Sequence, residues 1–252
     1  MVTIQCEREG ELTPLVWKGI EAIFFDKDGT LSRSEDYLLP LGQARATAID
    51  RQVPGTKAQM LKTFGFEGEQ LNPAGLLPVG SGEENRLAAS GQLAALGKNW
   101  FDCLRIVRDA FEEAERSLPP FYTVTPLIPG TVEILRHLNT LPVKVAIVSG
   151  DSTANIETFL AHHHLRSGVD AIRGADIPPR KPDPRCFLQV CQELDVSPQS
   201  VVMIGDATGD MAMARAAGAA GAIGVKWGWS LPHHIDQADT ILEKWEKITI
   251  YV

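Results

Sequence analysis

Three short apolar runs punctuate the chain, each ending in a polar, glycine-bearing turn: Glu21 to Phe25 before Asp26, Val143 to Val148 before Ser149, and Val201 to Ile204 before Gly205. Their positions are apolar consecutively rather than alternately. They therefore read as strands buried on both faces, the pattern of a parallel sheet covered by helices. Between them the apolar spacing becomes helical. Val132, Ile134, Leu135 and Leu138 mark a helix over Thr131 to Asn139 behind Pro129 and Gly130, and Pro184 to Leu194 and Asp210 to Ala217 read as helices too. Such alternation predicts an α/β fold with a doubly wound, mostly parallel sheet.

From residue 32 to 125 the rhythm differs. This stretch lacks β-rich runs and offers helical patterns such as Leu87 to Leu96 and Trp100 to Ser117, so it reads as a helical insertion. Glycines and prolines crowded between Lys57 and Gly82 predict irregular connections or a mobile loop inside it. The expected division is a core of residues 1–31 and 126–252 and an inserted domain of 32–125. No internal repeat or low-complexity tract interrupts either.

Composition narrows the function classes. At 252 residues, with 44% hydrophobic and 22% charged side chains, the chain has the makeup of a folded globular protein large enough for a core plus one inserted domain. A net charge of −8 and the absence of any Lys/Arg run argue against a nucleic-acid partner. The first ten residues carry Glu7, Arg8 and Glu9 rather than an apolar signal core, and no run approaches the ~20 apolar residues of a membrane span. Cys6, Cys103, Cys186 and Cys191 form no CxxC pair, so neither a zinc site nor a disulfide framework is expected, and the simplest setting is cytoplasmic. His162, His163 and His164 are consecutive and cannot all face one ion from a helix; they read as a solvated helix end.

The chemistry-bearing residues sit at the strand ends, where open α/β sheets bind ligands. Asp26, Lys27, Asp28, Gly29 and Thr30 follow the first strand and place two carboxylates two residues apart at a turn that glycine can tighten. One carboxylate can attack phosphorus while the other donates and retrieves a proton. An ordinary polar turn is the alternative. Taken singly, Ser149 could cap a helix, Lys181 could be a solvated lysine, and Asp206 a turn residue.

Taken together these elements resemble the haloacid dehalogenase-like hydrolase superfamily. Its phosphatases open with a DxDGT signature after an apolar strand, as Phe24 to Leu31 do here. Ser149, Gly150 and Asp151 then stand where the family places a phosphoryl-holding hydroxyl with an adjacent backbone N–H. Arg180, Lys181, Pro182, Asp183 and Pro184 match a KPxP-like element, and Gly205, Asp206 to Asp210 and Met211 match a GDxxxD element. The resemblance implies Asp26 as nucleophile, Asp28 as acid and base, Ser149 and Gly150 as phosphate holders, and Lys181 as the neutralising cation. It implies Mg²⁺ as cofactor, held by the Asp26 carboxylate, the Asp28 backbone carbonyl and the Asp206 carboxylate, with Asp210 steadying a ligand or a bound water.

The insertion falls between the first and second motifs, the family's type 1 helical cap placement, and phosphoglycolate-phosphatase-like members share this layout. Small phosphorylated metabolites are the substrates so implied. Within the cap, Thr56, Lys57, Arg86, Lys98 and Arg105 either recognise an anionic leaving group or are solvated helix residues. A phosphosugar mutase uses the same core; a non-catalytic binding protein would keep only the fold. Asp28 speaks against a dehalogenase or a P-type ATPase, and a response-regulator domain would be about half this length. Lys27 departs from the small or apolar residue common at its position. Trp227 and Trp229, two apart, face one side of an extended segment and cover a core edge or an interface. Residues 1–20 and the insertion lack a clear match, and the leaving group and oligomeric state stay open.

Overall fold

A computed structural model describes residues 1–8 and 10–252; Glu9, one of the charged N-terminal residues, lies outside the described residues. The chain runs β1 (Val2–Cys6), β2 (Leu15–Ile20) and β3 (Ala22–Phe25), then α1 (Glu35–Gln52), α2 (Lys57–Phe64), β4 (Phe66–Glu67), β5 (Gln70–Leu71), α3 (Leu76–Val79), α4 (Gly82–Ala95), α5 (Trp100–Ser117) and α6 (Phe121–Val124). It continues with α7 (Thr131–Leu138), β6 (Lys144–Val148), α8 (Thr153–His162), β7 (Ala171–Arg173), α9 (Pro184–Glu193), β8 (Val201–Gly205), α10 (Thr208–Ala217), β9 (Gly221–Val225), β10 (Thr240–Leu242) and β11 (Ile248–Tyr251).

Six strands form the central sheet in the order β10-β9-β8-β3-β6-β7, and each pair is parallel. The doubly wound α/β fold expected from the apolar runs is present. β3 is buried at every position, as a strand covered on both faces must be. Phe24 points to one face, where its ring lies 4.7 Å from that of Phe187 on α9 and joins a core with Met203, Met211 and Ala214. Phe25 points to the other and meets the ring of Trp245 at 6.1 Å. The register sets Phe25 beside Ile147 on one side and Ile204 on the other, so β3, β6 and β8 end at a common level. The connections from β3 run outward to β6 and β7 and then return to β8 on the opposite side of β3. That reversal makes the carboxyl end of β3 the switch point at which such sheets bind ligands.

Residues 1–20, unassigned from sequence, build a second sheet. β1 alternates buried Val2, Ile4 and Cys6 with half-buried Thr3 and Gln5, pairs antiparallel with β2, and on its other edge pairs with β11 from the far end of the chain. Trp17 of β2 packs against Gly221 of β9, where an added Cβ would lie 2.4 Å from the indole Nε1.

The insertion is mainly helical, as expected, with one difference: β4 and β5 pair as a short antiparallel hairpin in the glycine-rich stretch. α5 shows why this region folds. Cys103, Ile106, Val107, Ala110, Phe111 and Ala114 recur at helical spacing, and all are buried in a core with Ile49, Met60, Phe64 and Leu93. Its start is fixed by the Asn99 side chain, which accepts from Phe101 N at 3.0 Å. α4 begins at Gly82, five residues before the expected Leu87, because Ser81 and Glu84 cap it reciprocally: Glu84 N donates to Ser81 Oγ at 3.2 Å and Ser81 N to Glu84 Oε2 at 2.7 Å. The chain divides into two compact units, one of Met1–Arg33, Pro126–Trp229 and His234–Val252, the other of Ser34–Thr125 and Ser230–His233. Among the described residues no helix is long and apolar enough to cross a membrane.

Candidate active site

Asp26 leaves β3 with its backbone N–H still in the sheet, donating to Ile204 O at 2.9 Å. The chain then closes tightly on itself. The Lys27 carbonyl accepts from Leu31 N at 2.9 Å and Ser32 N at 3.0 Å, a fold that Gly29 permits with φ of +79°. The turn thus holds Asp26 and Asp28 on a rigid base.

Lys181, far along the chain, donates from Nζ to Asp26 Oδ1 at 2.6 Å and to Asp210 Oδ1 at 2.7 Å. Asp206 and Asp210 arrive from β8 and the first turn of α10. Asp210 fits because residue 205 is glycine: a Cβ there would fall 2.4 Å from Asp210 Oδ2, which also accepts from Ala207 N at 3.2 Å. Asp206 accepts from Thr30 Oγ1 at 3.1 Å on Oδ1 and from Trp229 Nε1 at 2.6 Å on Oδ2. Asp26 Oδ2, by contrast, receives no hydrogen bond among the described residues.

Carboxylate oxygens of Asp26, Asp206 and Asp210 lie within 4.8 Å of one another, and the three residues are 5%, 4% and 1% exposed. At such spacing two like charges repel by roughly 3 kcal/mol at an effective dielectric near 20. The electrostatics follow from this. Burial pushes the Asp26 carboxyl up, Lys181 opposes, and Asp210 and Asp28 add to the rise, leaving it at about 6. Burial and then the charges of Asp26 and Asp210 push Asp206 well above the usual carboxylate range, against the Trp229 N–H and Lys181. For Lys181 burial works against the charge, but Asp210 and Asp26 outweigh it and hold the ammonium above its ordinary value. Three buried carboxylates facing one ammonium leave uncompensated negative charge and hard oxygen donors, which fits a divalent cation of the hard class.

Lys27 shows what occupies the unusual second position of the motif. It is only 2% exposed, its Nζ donates to Asp28 Oδ1 at 2.5 Å, and it stands 3.3 Å from Asp151 Oδ2 and 5.3 Å from the centre of the Phe159 ring. Burial disfavours its charge, yet Asp28 and Asp151 more than offset that and raise its pKa. The lysine therefore ties the turn after β3 to the turn after β6.

In that second turn Ser149 N donates to Arg173 O at 3.0 Å, extending the sheet, and Asp151 N donates to Ser149 Oγ at 3.2 Å. Gly150 N is left as the backbone donor of the loop, just ahead of α8, whose cap Ser152 accepts from Asn155 N at 3.2 Å. Lys181 thus joins Asp26 and Asp210, with Asp206 beside them, and Asp28 is tied through Lys27 to Asp151. Ser149, 3% exposed, ends the neighbouring strand β6.

The residues offered for leaving-group recognition fare less evenly. Thr56 is spent on the start of α2, its hydroxyl donating to Val53 O at 2.7 Å, and Arg105 pairs with Asp102 and Asp109 on the surface of α5. Lys57, Arg86 and Lys98 are exposed. Glu35, Arg45 and Asn85 are buried in this unit along with Thr56; Arg45 lies 4.1 Å from the Phe111 ring centre and pairs with Glu115 at 2.8 Å. In the histidine run His162 and His164 are exposed, whereas His163 is half-buried with its ring edge-on to Phe159, the centroids 4.7 Å apart.

The phosphoglycolate phosphatase of Chromobacterium violaceum is 28% identical over 214 residues, covering 84% of this chain and 88% of that protein. That of Pseudomonas putida is 26% identical over 220 residues, covering 85% and 72%. A crystal structure described as a predicted phosphoglycolate phosphatase from Haemophilus somnus 129PT superposes with a TM-score of 0.67 at 19% identity, over 89% of this chain and 94% of that one. The model of the haloacid dehalogenase-like hydrolase family matches residues 20–218, a span that takes in all four motifs from Asp26 to Asp210, and the chain belongs to that family.

Proposed function

We propose that this protein is a magnesium-dependent phosphatase of small phosphomonoester metabolites, acting through a phospho-aspartate on Asp26 in the manner of phosphoglycolate phosphatases. One observation carries the reading. Lys181 bridges Asp26 and Asp210 beside Asp206, at the carboxyl ends of β3 and β8, while Asp26 Oδ2 stays without a hydrogen-bond donor. A nucleophile needs one such oxygen.

In the first step Asp26 Oδ2 attacks phosphorus in line with the leaving oxygen. The bond from phosphorus to that oxygen breaks as Asp28 gives it a proton. In the second, water attacks the phosphorus, Asp28 takes its proton, and the Asp26–phosphorus bond breaks to release inorganic phosphate. Lys181, Ser149 Oγ and Gly150 N would bear on the phosphoryl oxygens throughout. Magnesium, held by the Asp26 and Asp206 carboxylates and the Asp28 backbone carbonyl, would add positive charge against the developing charge of the phosphoryl group.

We assign residues 1–31 and 126–252 to the catalytic core and 32–125 to a cap that selects the leaving group. A cytoplasmic location accords with four reduced, buried cysteines. The deciding experiment measures phosphate release from a panel including phosphoglycolate and sugar phosphates, with and without Mg²⁺, for wild type and Asp26→Asn. Release that needs Mg²⁺ and disappears in the variant supports the reading. Release in neither, or turnover only with a sugar bisphosphate as in a mutase, overturns it.

A further inference from the structure

Trp229 takes no part in the steps above, yet it is bound to their machinery. Its indole N–H donates to Asp206 Oδ2 at 2.6 Å, and Thr30 Oγ1 donates to Oδ1 at 3.1 Å. An aspartate carboxylate turns readily about its terminal torsion, for which staggered wells are weak. Two donors on opposite oxygens remove that freedom.

The indole is itself held from behind. Gly228 lies so close to Gly29 that an added Cβ would fall 2.1 Å from the Gly29 carbonyl oxygen, and a Cβ on Gly29 would fall 2.3 Å from both Asp206 Oδ2 and Trp229 Nε1. Next to it, Trp227 Nε1 donates to Thr30 O at 2.8 Å and its ring packs 4.4 Å from that of Trp245. Trp227 to Trp229 thus form a strap pinned on the turn that carries Asp26 and Asp28, and its last side chain ends on Asp206. A buried tryptophan commonly finds some acceptor for its N–H. Here the acceptor is the carboxylate assigned to the metal.

We propose that Trp229 is a positioning residue for the divalent cation: its indole N–H fixes the orientation of the Asp206 carboxylate, so that the ligand is ordered on folding rather than on binding. The inference rests on the metal-dependent reading of the site. It is read without turnover, by adding Mn²⁺ to the metal-free protein and following free Mn²⁺ by electron paramagnetic resonance. Trp229→Phe keeps an aromatic ring in place and removes the donor; it should weaken Mn²⁺ binding by about 10- to 100-fold, the usual loss when a ligand's hydrogen-bond partner is removed. Trp227→Phe, which unpins the strap but leaves the Asp206 donors in place, should stay within about 3-fold of wild type. Activity should then show the same split: more Mg²⁺ needed by Trp229→Phe for half-maximal rate, with kcat recovered at saturation.

Wild type and Trp229→Phe binding Mn²⁺ equally well overturns the inference while sparing the metal-dependent reading; equal losses in both Trp variants overturn it too, because packing of the strap would then be the cause. Wild type that binds no Mn²⁺ overturns both readings. If Trp229→Phe does not fold, the wild type answers instead. Its Trp229 indole proton resonance should move on Mg²⁺ addition while that of exposed Trp100 stays still, and an unmoved Trp229 resonance counts against the inference.

Discussion

Asp26→Asn keeps the size of the side chain and its contact with Lys181 but removes the attacking charge. Phosphate release should fall by more than about 10³-fold with the melting temperature little changed, as calorimetry beside the activity assay would show. Lys27→Met tests a neighbour with a different task. Its apolar replacement fills the same space but leaves the carboxylates of Asp28 and Asp151 without their cation. A loss of about 1–3 kcal/mol in urea unfolding is expected, together with a lower kcat, because Asp28 would no longer be held in place. At this scale the legibility of the sequence was uneven. Asp26, Asp28, Ser149, Lys181, Asp206 and Asp210 could be picked out because each follows a strand end or stands in a recognisable motif. The roles of Lys27 and Trp229 depend on partners 124 and 23 positions away, Asp151 and Asp206, and only the folded chain brings those together. Thr56, left open in the sequence between an anion contact and a solvated helix residue, has its hydroxyl on Val53 O.

Among the elements, α5 carries the insertion. Phe111 is buried against Phe64, at a ring distance of 6.0 Å, and under the guanidinium of Arg45. Phe111→Ala should cost about 3–5 kcal/mol, read as a lower melting transition for the unit that contains residues 34–125. The first turn of α8 offers a pH test. Asp176 Oδ1 accepts from Thr153 N at 2.6 Å and from Thr153 Oγ1 at 2.9 Å, and these bonds, the backbone one first, hold its pKa below 3.8. A depressed carboxyl pKa contributes stability above the unfolded value and loses it as pH falls through the folded one. The melting-temperature gap between wild type and Asp176→Asn should therefore be steady at neutral pH and close below about pH 3.8. Elements were readable where periodicity was strong, as in α5, whose predicted span Trp100 to Ser117 is its actual one. They were not where the signal was short. The Ser81–Glu84 cap went unused in placing α4, and β1 and β2 are too brief to announce a sheet whose third strand lies more than 200 residues on.

For the molecule as a whole, the four thiols report on integrity. All are buried, and burial pushes Cys6 and Cys191 up to about 12 and raises Cys186 as well. The native protein at pH 7.5 should therefore react slowly with a thiol reagent and release four equivalents promptly in denaturant. Fast labelling of the native state would show that the packing around β1, α5 or α9 opens. The antiparallel pairing of β1 with β11 has a further consequence. Thr3 stands opposite Tyr251, so the two ends of the chain are separated by little more than a hairpin turn. A short linker could close them into a ring, and a new break at the exposed β4–β5 turn, Gly68–Glu69, would give a circular permutant that keeps every strand of both main sheets and every motif in one piece.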